Sequence, residues 1–284
     1  MRGVEVRRYD DVDEFLRRAG EFLVAREAEH NLILGLCASL RREPRMYGQD
    51  SYLAAAEEAG RVVAAALRTP PHNLVLSEVD DPRAIEPLVA DVHSVFGALT
   101  GLLGPTQAAA QFVGAWERVT GVRGRRVLAE RVFRAESVTP PRDVPGRMRP
   151  YRDSDRELVV RWLDAFTAEA LPEAPPEPAV SWLDRRLAEP EGSVVLWEDG
   201  EPVSLAAAGG STPSGIRIGP VYTPPELRGR GYASALVAEL TRGLLERGRR
   251  SCFLFTDLAN PTSNRIYKRI GYRPVGDVDQ WALD

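Results

Sequence analysis

Apolar positions along this chain change period repeatedly, and each change marks an element. Val4 to Tyr9 predicts a short strand, and Val12 to Arg41 predicts two helices. Tyr52 to Leu67 reads as a hairpin turning at Glu58-Ala59-Gly60, followed by a strand over Asn73 to Val79. Leu99 to Thr106 leads into a helix over 106–119, and Arg125 to Ala135 has the apolar and β-branched content of a strand. Ser137 to Gly146 then brings three prolines and a glycine within ten residues, which continues neither a helix nor a central strand.

Beyond that break the pattern starts afresh. Met148 to Arg152 predicts a short strand, and Asp153-Ser154-Asp155 is a helix-start signal. Arg156 to Leu171 places Leu158, Val159, Trp162, Phe166 and Ala170 near helical spacing, and after the acidic stretch Pro172 to Pro178 a second helix spans about Ala179 to Ala188. Strands Ser193 to Glu198 and Pro202 to Ala208 flank Asp199-Gly200, a hairpin signal. A strand from Ile216 to Tyr222 and a helix from near Gly231 to Arg247 follow, the helix with Ala233, Leu236, Val237, Leu240 and Leu244 on one face. Strand Ser251 to Thr256, a short helix Thr262 to Ile270 and a strand pair near Tyr272 to Leu283 complete the order βααβββαβαββ. The first half repeats much of this order. These readings predict a first domain over 1–137, a proline-rich linker over 138–146 and a second domain over 147–284.

The polar interruptions carry the chemistry. Arg228-Gly229-Arg230-Gly231-Tyr232-Ala233 lies between a strand and a helix. A glycine-rich loop opening a helix presents unpaired N–H groups at the positive end of the helix dipole, which is a device for holding phosphate. No Lys-Ser/Thr pair follows the last glycine, which disfavours a nucleotide-binding loop of the Walker A kind. About thirty residues on, Asn260-Pro261-Thr262-Ser263-Asn264-Arg265-Ile266-Tyr267-Lys268-Arg269-Ile270-Gly271-Tyr272 opens a second helix with polar groups. At the corresponding point of the first half stand Asp80 and Asp81, whose carboxylates repel a pyrophosphate.

Composition narrows the class further. The chain has 284 residues, 44% hydrophobic and 27% charged, as in a globular protein with room for two domains. Its net charge of −4 argues against nucleic acid as a partner, and no apolar run has the length of a membrane helix or a signal-peptide core, so a cytoplasmic location without a membrane partner is expected. Lys268 is the single lysine among the basic residues, a bias that codon usage explains. Cys37 and Cys252 lie far apart, and His30, His72 and His93 have no metal-ligand spacing; no metal is expected.

Together the two polar blocks resemble the GNAT superfamily of acyl-CoA-dependent N-acyltransferases. Arg228, Gly231 and Ala233 fill that family's pyrophosphate pattern Arg/Gln-x-x-Gly-x-Gly/Ala, and Asn260, Asn264, Tyr267, Gly271 and Tyr272 fill its later pattern Asn…Asn-x-x-Tyr-x-x-x-Gly-Phe/Tyr. The stretch Val221 to Ala235 is similar to that of predicted bacterial acetyltransferases with two tandem GNAT-like halves. The resemblance implies an α/β fold with a mixed sheet, repeated in tandem, with the N-terminal copy degenerate. It also implies acetyl-CoA as co-substrate, a small-molecule or peptide amine as acceptor, and a homodimer as an oligomeric option.

It assigns site residues as well. Val221, Tyr222 and Thr223 fall on the strand whose backbone pairs with pantetheine, and the Tyr222 side chain is equally suited to strand packing. The backbone of Arg228 to Ala233 (Arg228, Gly229, Arg230, Gly231, Tyr232 and Ala233) holds the pyrophosphate, with the two arginine side chains either assisting or simply solvated. Tyr267 matches the general acid toward the departing thiolate, against the alternative of a tyrosine buried for packing. Asn260 reaches the cofactor's amides or serves as the turn-former before Pro261, and Asn264 is more naturally a helix-start polar group. Relatives often use a carboxylate as base; Asp257, Glu169 and Glu173 are the candidates and none is preferred. The reading is an acetyl-CoA-dependent N-acetyltransferase acting by direct attack of an amine in a ternary complex. The alternative is a non-catalytic acyl-CoA-binding or sensing protein.

Overall fold

A computed structural model describes residues 3–171 and 177–284. Two compact units divide the chain: residues 1–132 with 275–284, and residues 133–274.

In the first unit, β1 (Glu5–Tyr9) is followed by α1 (Val12–Ala25) and α2 (Asn31–Arg42), then by β2 (Tyr52–Glu58), β3 (Arg61–Arg68) and β4 (Leu74–Leu76). Next come α3 (Ile85–Phe96), β5 (Gly101–Pro105), α4 (Thr106–Thr120) and β6 (Gly124–Ala135), the last running into the second unit from Phe133. Alternation along the strands feeds two cores. Ala54, Ala56, Ala64, Ala66, Leu74 and Leu76 pack with α3 and α4 around Phe112 and Trp116. Leu53, Ala55, Ala65, Leu67 and Val75 pack with α1 and α2 around Phe15, Leu23 and Ile33. The period of two thus builds a sheet with helices on both faces. Asp11 caps α1 through the N–H groups of Asp13 and Glu14.

The second unit opens with β7 (Arg147–Pro150), α5 (Arg156–Ala170) and α6 (Ala179–Ala188). Strands β8 (Ser193–Asp199), β9 (Glu201–Gly209) and β10 (Gly215–Tyr222) precede α7 (Tyr232–Glu246), β11 (Ser251–Asp257) and α8 (Pro261–Arg269). Val194, Leu196, Leu205 and Ala207 meet α5 and α6, while Val195, Trp197, Ala206 and Ala208 join the opposite core with α7. Along α7 the buried face is Tyr232, Ala235, Leu236, Val237, Ala238, Leu240, Thr241 and Leu244; Ala233 is not part of it. Arg149 anchors the start of α5 by a two-pronged bond to Asp155 at 2.7 and 2.9 Å, both side chains buried, and also meets Glu198.

The expected strand pair near 272–283 is instead one strand, β12 (Arg273–Leu283). Gly276, within this span, has no positive φ and continues the extended chain. From Val275 onward β12 belongs to the first unit, where Val278 to Ala282 pair antiparallel with Pro105 to Gly101. Trp281 and Leu283 pack with that unit's core.

His30, in the first unit, fixes the junction between α1 and α2. It is 1% exposed, its Nδ1–H donates to the Leu23 carbonyl at 2.9 Å, and its Nε2 accepts the Glu78 N–H at 3.0 Å. Burial lowers its pKa from 6.5 to about 4. The unfolded chain therefore binds a proton that the folded chain refuses as pH falls from about 6.5 toward 4, and stability drops over that window, by up to about 3 kcal/mol. Unfolding midpoints at pH 7 and 4.5 should differ more in the wild type than in His30→Gln, and parallel pH profiles would refute this assignment.

Candidate active site

β10 and β11 begin as parallel neighbours, with Gly215, Ile216 and Arg217 opposite Ser251, Cys252 and Phe253. An irregularity between Ile218 and Val221 then bends β10, which stays with β9 through Val221 opposite Ala206 and Tyr222 opposite Leu205. Beyond Arg217 the two strands no longer pair, so the backbone edges of 218–222 and 254–257 diverge. An extended chain with amide groups fits such a gap by adding its own hydrogen bonds to a free edge.

At the head of that opening lies the glycine loop. Gly229 and Gly231 have φ of 80° and 86°, conformations open to residues without a side chain. Gly231 is the N-cap of α7, with no side-chain cap bond. Arg228 N–H bonds to the Pro225 carbonyl and Ala235 N–H to the Gly231 carbonyl, whereas the six N–H groups from Gly229 to Ser234 find no acceptor among the described residues. A run of free donors at a helix N-terminus suits a pyrophosphate.

The predicted side chains separate into two kinds. Tyr232 turns into the core, its hydroxyl donating to Asp199 at 2.7 Å, so only its backbone faces the loop opening. Asn260 caps α8 by accepting the Ser263 N–H at 3.0 Å. Asn264 donates to the carbonyls of Asp257 and Asn260, both at 2.8 Å, and accepts from Thr256 at 2.9 Å. Those bonds consume its amide hydrogens and tie α8 to the end of β11. Arg230 is exposed beside the Tyr232 hydroxyl. Val221 packs at the edge of the α7 core, and Thr223 shares a hydroxyl hydrogen bond of 2.8 Å with Ser204.

Tyr267 stands apart. Its ring, 8% exposed, lies 6.5 Å from that of Phe133 and 6.0 Å edge-on from that of Tyr272. Tyr272 satisfies its hydroxyl with Thr241 at 2.6 Å, while no hydrogen bond ties the Tyr267 hydroxyl to any of the described residues. Burial raises its pKa to about 12, so it holds its proton at neutral pH.

One contact had no sequence signal. Glu169, near the end of α5, accepts from Tyr222 Oη at 3.3 Å and from Arg228 Nη2 at 2.6 Å, and Arg228 Nε donates to the Thr223 carbonyl at 2.9 Å. The first residue of the phosphate pattern thus holds a carboxylate 59 positions away in sequence. Of the other candidate bases, Asp257 caps the turn after β11 by accepting the Ala259 N–H at 2.7 Å, and Glu173 lies outside the described residues. Among the described residues no group of three or more His, Cys, Asp or Glu could hold a metal ion, and no helix is long and apolar enough to cross a membrane.

Comparison with known proteins bears on the fold and on the segment that carries the glycine loop. Residues 197–282 match the model of the FR47-like protein family. A 106-residue stretch is 29% identical to an uncharacterized N-acetyltransferase of Methanocaldococcus jannaschii, covering 35% of this chain and 46% of that protein, so the chain spans about half the length of the curated relative it matches. Among solved structures, a Drosophila protein superposes with a TM-score of 0.70 at 16% identity over 99% of both chains. A tandem GNAT protein from the clavulanic acid biosynthesis pathway superposes with a TM-score of 0.60 at 12% identity, over 98% of this chain and 97% of that one. The fold is the tandem GNAT fold.

Proposed function

We propose that the second unit transfers an acetyl group from acetyl-CoA to a primary amine by direct attack in a ternary complex. The observation that carries this reading is the run of six unclaimed N–H groups from Gly229 to Ser234 at the head of the gap between β10 and β11. It fits a pyrophosphate followed by an amide-bearing arm. Acetyl-CoA would supply an activated acyl group. Tyr267 is suited to give its proton to the leaving sulfur as the C–S bond breaks, while the attacking nitrogen forms the new C–N bond and loses a proton to solvent or a carboxylate. A covalent acyl-enzyme is disfavoured because Cys252 is fully buried, with its thiol pushed up to about 12 by burial.

The first unit has different chemistry at the corresponding point. Asp81 caps a short turn there by accepting the Arg83 N–H at 2.9 Å, and Asp80 pairs with Arg26 at 2.8 Å. These carboxylates support a unit that does not hold pyrophosphate in this manner. Calorimetric titration of CoA into the whole protein, followed by assay of free thiol release from acetyl-CoA with a panel of primary amines, tests the reading. Micromolar binding with amine-dependent release is expected. Binding without release on any amine would favour an acyl-CoA sensor, and absence of binding would overturn both readings.

A further inference from the structure

Arg68, in the first unit, is a buried cation without an anion. It closes β3 directly opposite Tyr52 at the start of β2, and it is 8% exposed. Its Cζ lies 4.4 Å from the centroid of the Phe96 ring at the end of α3, and its Nε donates to the His72 carbonyl at 2.9 Å. Among the described residues Nη1 and Nη2 have no acceptor, and no carboxylate pairs with the guanidinium. Asp91 on α3 is engaged elsewhere: it accepts from Tyr52 Oη at 2.6 Å and pairs with Arg8 at 3.6 Å. Burial lowers the pKa of Arg68, and no neighbouring charge opposes that shift. A buried charge is ordinarily paired because leaving water is costly, and an aromatic face with one carbonyl offsets only part of that cost. Neither terminal nitrogen is sealed from solvent, so the recess is open to a small ligand.

We propose that this recess binds a small monocarboxylate, held two-pronged by Nη1 and Nη2 of Arg68. The free end of the guanidinium presents two N–H groups in a planar fork that matches two carboxylate oxygens. A single cation balances a single negative charge, which favours a carboxylate over a dianionic phosphate. The Phe96 ring, with Tyr52 edge-on to it at 5.5 Å, gives an apolar ligand body a surface to meet. The recess is remote from the first unit's counterpart of the phosphate loop. Arg61, at the other end of β3, is the residue that meets Asp80. Along that strand of eight residues Arg68 lies about 23 Å away. The site is independent of the acetyl-CoA reading and gives the first unit a ligand of its own.

Calorimetric titration of the whole protein with sodium benzoate, at an ionic strength fixed by chloride, tests it. Saturable one-to-one binding is expected. Arg68→Met, which keeps an unbranched chain but no charge, should weaken that binding by about ten-fold or more. Arg68→Lys keeps the charge and loses the fork, so it should weaken binding by about three-fold or more. Circular dichroism checks that each variant is folded, and Arg68→Lys decides the matter if Arg68→Met is not. Inorganic phosphate in the same titration should bind the wild type more weakly than benzoate. Benzoate binding unchanged in a folded Arg68 variant would overturn the proposal. So would the absence of saturable binding by the wild type, the result expected of a cation that serves only to pack against Phe96. Tighter binding of phosphate than of benzoate would overturn the carboxylate assignment.

Discussion

Gly231→Asp is expected to weaken CoA binding by about 100-fold while the protein remains folded. The residue opens α7 with φ of 86°, and its N–H is one of the six free donors. A new carboxylate there meets the pyrophosphate at close range. Two unit charges about 5 Å apart at an effective dielectric constant of about 40 repel by roughly 1.7 kcal/mol, and two phosphate charges bring this to about 3 kcal/mol, or roughly 100-fold. A Cβ at this position would lie 3.0 Å from Val144 Cγ2, a contact that a small shift relieves. Gly231→Asn carries the same backbone strain without the charge, so it should lose much less affinity. Equal losses for the two variants in calorimetry would attribute the effect to shape, and unchanged affinity in Gly231→Asp would locate the phosphates elsewhere.

Tyr267→Phe is expected to lower turnover by about 10- to 10³-fold with CoA affinity nearly unchanged. The ring contacts with Phe133 and Tyr272 survive the substitution, and the hydroxyl has no hydrogen-bond partner among the described residues, so none of them is left unpaired. Because the hydroxyl acts as the thiolate departs, kcat and kcat/KM should fall together. With its pKa at about 12, the wild-type phenol keeps its proton throughout the neutral range, so the deficit should be independent of pH between 6 and 9. Slow hydrolysis of acetyl-CoA to free thiol provides a second reaction in which to measure it. A variant equal to wild type in both reactions would return Tyr267 to a packing role.

Most of the architecture was legible in the chain because it rests on local signals. The change from period two to period 3.6, the Asp199-Gly200 hairpin and the glycine loop before α7 each declare themselves within a few residues. What stayed hidden depends on distant partners. Nothing near Arg228 points to Glu169, since the pair closes between α5 and the loop before α7. Asn264 matches a family pattern, but only the fold shows that its amide is spent on Thr256, Asp257 and Asn260. Tyr232 sits within the phosphate pattern yet sends its side chain to Asp199 in the β8–β9 hairpin. The strand pair expected near 272–283 is one strand because the backbone of β5 offers a ladder for residues 278–282.

That ladder sets a timetable. Gly101 pairs with Ala282, so the sheet of the first unit lacks a strand until synthesis has passed residue 282. Residues 133–274 contain every contact that defines their own unit and can settle earlier. In vectorial synthesis the part translated first is thus completed last. A fragment ending near residue 137 would carry an unfilled edge at β5, open to another chain's strand.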